Sequence, residues 1–153
     1  MKNESKLNVL VVEDNKLNGE VLSKYIKANV DVEEMEVQTI HQAERLLDEI
    51  KVKEVKPHIV ILSEPAQDKI KFTDEIPSRI KQIKKVSPAS EVIILSTPNK
   101  VETILENFRA GAFDVVVKDE HGSKNITKSI QRFFNNQTEK VLVGKQREHV
   151  TTY

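Results

Sequence analysis

The chain has no cysteine, which excludes a disulfide framework and any thiolate metal site. That absence suits a reducing compartment, and a cytoplasmic location is the expectation. It has only four glycines, none grouped behind the first apolar run, so no glycine-rich loop is available to cradle a nucleotide or flavin phosphate. Charge of one sign is also missing. Basic and acidic side chains number 24 each, without the basic excess of a nucleic-acid binder. No apolar run approaches the length of a membrane span. Met1 to Lys6 is polar, and no signal peptide is expected there. Asn125-Ile126-Thr127 and Asn136-Gln137-Thr138 fit the glycosylation pattern, and without a secretory signal both are read as chance matches. A length of 153 residues fits one domain able to bury a core without crosslinks.

What is present is an alternation of short apolar runs with amphipathic segments. Leu7 to Val12 is β-branched and almost wholly apolar, as a strand covered on both faces should be. Asn15 is placed to cap a helix carrying Leu17, Val21, Leu22, Tyr25 and Ile26 at helical spacing. Val37 to Ile40 reads as a second strand, and His41 to Val55 as a helix with Ala43, Leu46, Leu47 and Ile50 on one side. Pro57 ends that pattern, and Ile59 to Leu62 is a third strand. From Glu64 a loop is predicted, then a helix to about Val86 with Ile76, Ile80 and Ile83 inward and Pro77 in its first turn. Glu91 to Leu95 is a fourth strand. Val101 to Ala110 is a helix that Gly111 can terminate, and Phe113 to Val117 is a fifth strand. Ser123 is a candidate cap for a last helix carrying Ile126, Ile130, Phe133 and Phe134. Beyond Asn135 the periodicity fades, and Val141 to Gly144 either extends the helix or begins a linker.

Five strands alternating with helices argue for an α/β fold, a doubly wound parallel sheet with helices on both faces. In such sheets ligands sit beyond the carboxyl ends of the strands. The residues to examine are therefore Glu13 and Asp14, Ser63, Ser96 and Thr97, and Lys118. Paired acids, a hydroxyl and a lysine are the parts of a phosphoryl-transfer centre: ligands for a divalent cation, a contact for a phosphoryl oxygen, and a counter-charge.

Four runs carry a family resemblance: Val9 to Asn15, Pro57 to Ser63, Val92 to Ser96, and Ala110 to Lys118 with its Gly-Ala-Phe-Asp core. Over roughly residues 6–135 their order and spacing resemble the receiver domain of two-component response regulators. The resemblance implies a flavodoxin-like (βα)5 sandwich with a five-stranded parallel sheet of order 2-1-3-4-5. It divides the chain into a tail at 1–5, a receiver domain at 6–135 and a helical extension or linker stump at 136–153. It also implies magnesium on Glu13 and Asp14, a phosphoryl contact from Ser96 and a charge-neutralising role for Lys118. Protein partners follow as well, a sensor histidine kinase or an output protein or domain, with no nucleic acid and no membrane. The family's usual contact face is its fourth helix, fifth strand and fifth helix, which could also pair two copies of the chain. Lys100, Glu102, Phe108, Arg109, Phe113 and Lys128 fall there, although ordinary core packing accounts for Phe108 and Phe113 at least as well.

The departures bear on function. Ser63 stands where the family has its phospho-acceptor aspartate, and a serine hydroxyl is a weak nucleophile unless a base activates it. No histidine adjoins it, His58 lying five residues back. Losing that carboxylate also leaves at best a weak magnesium site. Pro65 falls at the position of a carbonyl ligand, and Ala66-Gln67-Asp68-Lys69 replaces the usual turn. Val115 takes the place of a switching Tyr or Phe, and Asp119 follows Lys118 where many members have proline. The expectation is a degenerate receiver, not an enzyme, that acts as a phosphorylation-independent interaction module. Two alternatives are an ordinary phosphorelay receiver with an engineered acceptor substitution and a small flavodoxin-like nucleotide or flavin binder.

Overall fold

The computed structural model describes residues 6–64, 70–97 and 101–151, with side chains at 6–64, 76–97 and 101–138. The strands are β1 (Lys6–Val12), β2 (Glu34–Ile40), β3 (Ile59–Ser63), β4 (Glu91–Ser96) and β5 (Asp114–Val117). The helices are α1 (Lys16–Asn29), α2 (Leu46–Val52), α3 (Ile70–Val86), α4 (Val101–Ala110) and α5 (Gly122–Thr151). All strand pairs are parallel, and the sheet order is β2-β1-β3-β4-β5.

The continuous apolar runs of the inner strands are explained by cover on both faces. Along β3, Ile59 and Ile61 join Val9, Val11 and Ile93 in a core closed by Leu22 and Ile26 of α1 and Ile126, Ile130 and Phe133 of α5. Val60 and Leu62 point the other way, into a core with Leu10, Val92 and Ile94 closed by Leu46 and Ile50 of α2 and Ile76, Ile80 and Ile83 of α3. Register then places the ends of β1, β3 and β4 side by side, with Val12 opposite Leu62 and Ser63 opposite Leu95.

Local signals held at some elements and yielded at others. Asn15 caps α1 as expected, its Oδ1 accepting the Asn18 N–H at 2.9 Å. Leu17 and Val21, however, face solvent, because α1 docks on Gly19, Leu22, Ser23 and Ile26. β2 begins at Glu34, three residues before the expected start, since its early residues pair with Lys6 to Asn8 on β1. The expected helix from His41 to Val55 is a short 3₁₀ turn, Ala43–Arg45, followed by α2. Pro77 lies inside α3, which begins at Ile70, so its missing N–H leaves the Thr73 carbonyl without its helical donor. Gly111 ends α4 with φ +115°, a conformation that side chains resist. Ser123 is not a cap: α5 already begins at Gly122, and the Asp119 carboxylate takes the preceding N–H of His121 at 2.8 Å. α5 continues to Thr151, beyond the point where periodicity fades.

α4 is docked by an unusual face. Its one residue in the buried class is Asn107, whose Oδ1 has no hydrogen-bond partner among the described residues. Val101, Leu105 and Phe108 lie along one stripe of the helix and are 70%, 44% and 42% exposed.

Candidate functional site

The carboxyl edge of the sheet gathers Glu13, Ser63, Glu64, Ser96, Thr97 and Lys118. Glu13 follows β1, and its N–H donates to the Ile40 carbonyl at 2.9 Å, which extends the ladder by one residue and turns the side chain across the edge. The carboxylate is buried. Its Oε1 accepts the Ser63 hydroxyl at 2.7 Å and lies 3.9 Å from the Lys118 ammonium. Its Oε2 accepts the Asn15 N–H at 3.0 Å. The Glu13 carbonyl accepts from His41 Nδ1 at 3.0 Å, so that ring carries its proton on Nδ1. Gly19 lets α1 come this close: a Cβ there would stand 3.3 Å from His41 Cε1.

A second carboxylate lies beside the first. Glu64 is buried, and its N–H donates to the Leu95 carbonyl at 2.8 Å, which continues the β3–β4 ladder beyond Ser63. Its Oε2 accepts the Ser96 hydroxyl at 2.6 Å and the Thr97 N–H at 3.3 Å. The Ser96 hydroxyl also lies 2.9 Å from the Thr97 carbonyl, a second acceptor. Lys118 follows β5 and is held by its N–H on the Ser96 carbonyl at 2.7 Å, while its Nζ donates to the Glu64 carbonyl. Each buried serine hydroxyl thus gives its proton to a carboxylate, and one ammonium bridges the two halves. Charge-assisted bonds of this kind are stronger than neutral ones.

Of the residues expected here, Glu13, Ser63, Ser96, Thr97 and Lys118 are brought together, while Asp14 is exposed. No group of three or more acids, histidines or cysteines placed to hold a metal occurs among the described residues. Glu64 is the site residue that sequence reasoning passed over. Its signal was a glutamate directly behind a wholly buried strand, where a charge has to find a partner. Val115 is half-buried and packs toward the core beneath α2 and α3. His58 is at the opposite end of the sheet: its Nδ1 accepts the Asn8 N–H at 3.0 Å, its ring stands 6.5 Å from that of Phe133, and burial lowers its pKa.

On the expected contact face, Glu102, Phe108, Arg109 and Lys128 are exposed. Phe113 is core-packed instead, edge-on to Phe133 at 6.0 Å, with the Arg132 guanidinium 5.0 Å from its ring centre. Pro65, the turn 66–69, Pro98 and Lys100 lie outside the described residues.

No protein-family model matches the sequence, and no curated protein matches it. Solved structures do. A CheY-like response regulator receiver domain protein from Methanospirillum hungatei superposes with a TM-score of 0.68 at 16% identity, over 88% of this chain and 99% of the other. HP1043, an orphan response regulator of H. pylori, gives a TM-score of 0.66 at 17% identity over 83% of this chain and 95% of its own. The chain has the receiver fold. The response regulator DrrB of Thermotoga maritima, with a TM-score of 0.66 at 23% identity, is covered over 54% of its length by 86% of this chain, so this receiver fold spans about half of that protein. Among the described residues no helix is long and apolar enough to cross a membrane.

Proposed function

We propose that this chain is a receiver module of the two-component type that signals by protein contact and not through an aspartyl phosphate. The observation that carries the reading is the state of Ser63. The resemblance puts it at the acceptor position; it is buried and donates its proton to a glutamate that is itself paired with Lys118. The carboxylate that accepts this hydrogen is itself engaged by the Asn15 N–H and by Lys118, so the hydroxyl is held as a hydrogen-bond donor and is not freed as an alkoxide. The half-buried Val115 has no ring to swing between two positions, which supports the loss of a phosphate-driven switch.

Magnesium fits the residues present poorly. Both oxygens of Glu13 already have partners, Asp14 is exposed, and the Lys118 ammonium stands where a cation would compete with it. A weak site on Glu13 and Asp14 is the most this donor set offers, and no step of the proposed function passes through it.

The working surface is α4 with β5 and α5. Support comes from the apolar stripe Val101, Leu105 and Phe108 on α4, which also carries the exposed Glu102 and Arg109; Lys128 is exposed on α5. Exposed stripes of this kind mark protein contacts. The partner is an output protein or domain, a sensor kinase, or a second copy of the chain, and the module is non-enzymatic and cytoplasmic.

The test is treatment of the chain with a small-molecule phosphodonor and magnesium, followed by intact-mass spectrometry, with Ser63→Asp in parallel. The unaltered chain is expected to gain no acid-labile phosphate. Stoichiometric uptake by the unaltered chain would overturn the reading.

A further inference from the structure

Glu64 has no assigned role at a receiver site, yet it makes the site's most specific contacts. Its carboxylate takes the Ser96 hydroxyl at 2.6 Å and the Thr97 N–H at 3.3 Å, and its own carbonyl receives Lys118 Nζ. A hydroxyl and a backbone N–H meeting on one carboxylate oxygen, with an ammonium on the same residue's backbone carbonyl, form an anion-binding corner. The anion in it belongs to the chain.

We propose that Glu64 is a built-in anion that permanently fills the phosphoryl-oxygen position of this site and pins Thr97 at the end of β4 without covalent modification. The proposal rests on the receiver reading of Ser96 and Lys118. The carboxylate leaves the end of β3 and closes on the end of β4, so it ties two adjacent strands across the site. Thr97 is the last described residue before 98–100, and α4 follows at Val101. Fixing Thr97 therefore restricts where α4 can begin. The helix needs such a restraint, since its one buried residue is the polar Asn107 and its apolar stripe faces away. Little apolar burial holds α4, so a polar tether at its entry has a large share in setting its orientation. The display of Val101, Leu105 and Phe108 is then constitutive.

The experiment is amide hydrogen exchange read by NMR on the full chain, with Glu64→Ala, Glu64→Gln and Ser96→Ala, with and without inorganic phosphate. In Glu64→Ala, the Thr97 amide and the amides of α4 are expected to exchange about tenfold faster or more. Over the same comparison the β3 amides of Val60 to Leu62 keep their protection, which reports that the sheet is intact. Glu64→Gln retains an acceptor without the charge and is expected to fall between. Inorganic phosphate is expected to restore protection in Glu64→Ala and to leave the unaltered chain unchanged. Ser96→Ala removes the donor and leaves the carboxylate, and it should loosen Thr97 and α4 in the same way, which keeps the test decisive if Glu64→Ala does not fold.

Unchanged exchange at Thr97 and α4 in either alanine variant overturns the tether. Failure of phosphate to rescue Glu64→Ala, or an equal response of the unaltered chain to phosphate, overturns the assignment of Glu64 as the pocket's anion. These readouts do not involve Ser63. Phosphodonor uptake by the unaltered chain would defeat the receiver reading given above while leaving the tether in place, and the two failures are therefore distinguishable.

Discussion

Ser63 and Ser96 end neighbouring strands, and each hands its hydroxyl proton to a buried glutamate, at 2.7 and 2.6 Å. A buried carboxylate deprived of such a donor keeps its desolvation cost without the compensating bond. Ser63→Ala is therefore expected to lower stability by about 1–3 kcal/mol, read as a shift in urea midpoint at constant slope. Ser63→Asp sets a second acid beside Glu13, and like charges at that distance repel. That variant should melt lower than the parent without divalent ions and regain stability with magnesium, whereas the parent's melting temperature should not respond. An equal magnesium response in both would refute the view that Ser63 removed the cation site. His58 provides a pH handle away from the site. Burial holds its pKa below the usual 6.5, and its Nδ1 accepts the Asn8 N–H, so protonation breaks that bond. The folded state favours the neutral ring, and the unfolded chain takes up a proton first as pH falls. Stability is thus fully present above 6.5 and is lost as pH falls from there through the lowered folded value. Urea midpoints across that window should decline more steeply for the parent than for His58→Gln.

Among the elements, the inner strands were the most legible. Ile59 to Leu62 and Val92 to Leu95 are apolar at every position because helices cover both faces, and their shortness and β-branched residues mark them as strands. Helix orientation was less legible, since spacing alone ranks Leu17 and Val21 with Leu22 and Ile26. Only docking through Gly19 reveals which side of α1 is inward. Pro77 shows a similar limit: proline suits a first turn, but tertiary packing of Ile76, Ile80 and Ile83 carried the helix past it. The need of Glu64 for a partner was legible behind a buried strand, but Ser96 and Thr97 as partners were not, since they are more than thirty residues away. α4 is the element whose surface can be tested with least disturbance to the fold. Leu105→Ser and Phe108→Ser remove side chains that are 44% and 42% exposed, and each is expected to cost about 1 kcal/mol, less than a core truncation. The same substitutions should abolish binding to a partner or self-association through this face, measured by sedimentation or pull-down against the parent chain. Retained binding in both variants would remove α4 from the interface.

For the molecule as a whole, β3 is the keystone, with β1 on one side and β4 on the other and a core on each face. Ile61 is fully buried there. Ile61→Ala should cost about 2–5 kcal/mol in chemical unfolding, far more than any change on α4. The order 2-1-3-4-5 was not contained in periodicity; it came with the resemblance, and the sheet has that order. Strand alternation fixed only that the sheet is parallel and covered twice.

The two buried carboxylates at this edge of the sheet also bear on how the proposed module would be wired into a cell. Every phosphodonor is an anion, and among the described residues the edge of this sheet presents the buried carboxylates of Glu13 and Glu64. Donors are disfavoured by charge before the question of a nucleophile arises. On the function proposed above, such a module would draw no phosphoryl flux from neighbouring kinases and take no crosstalk from them. Its influence on a partner would then be set by mass action, with abundance as the signal and synthesis and degradation as the switch.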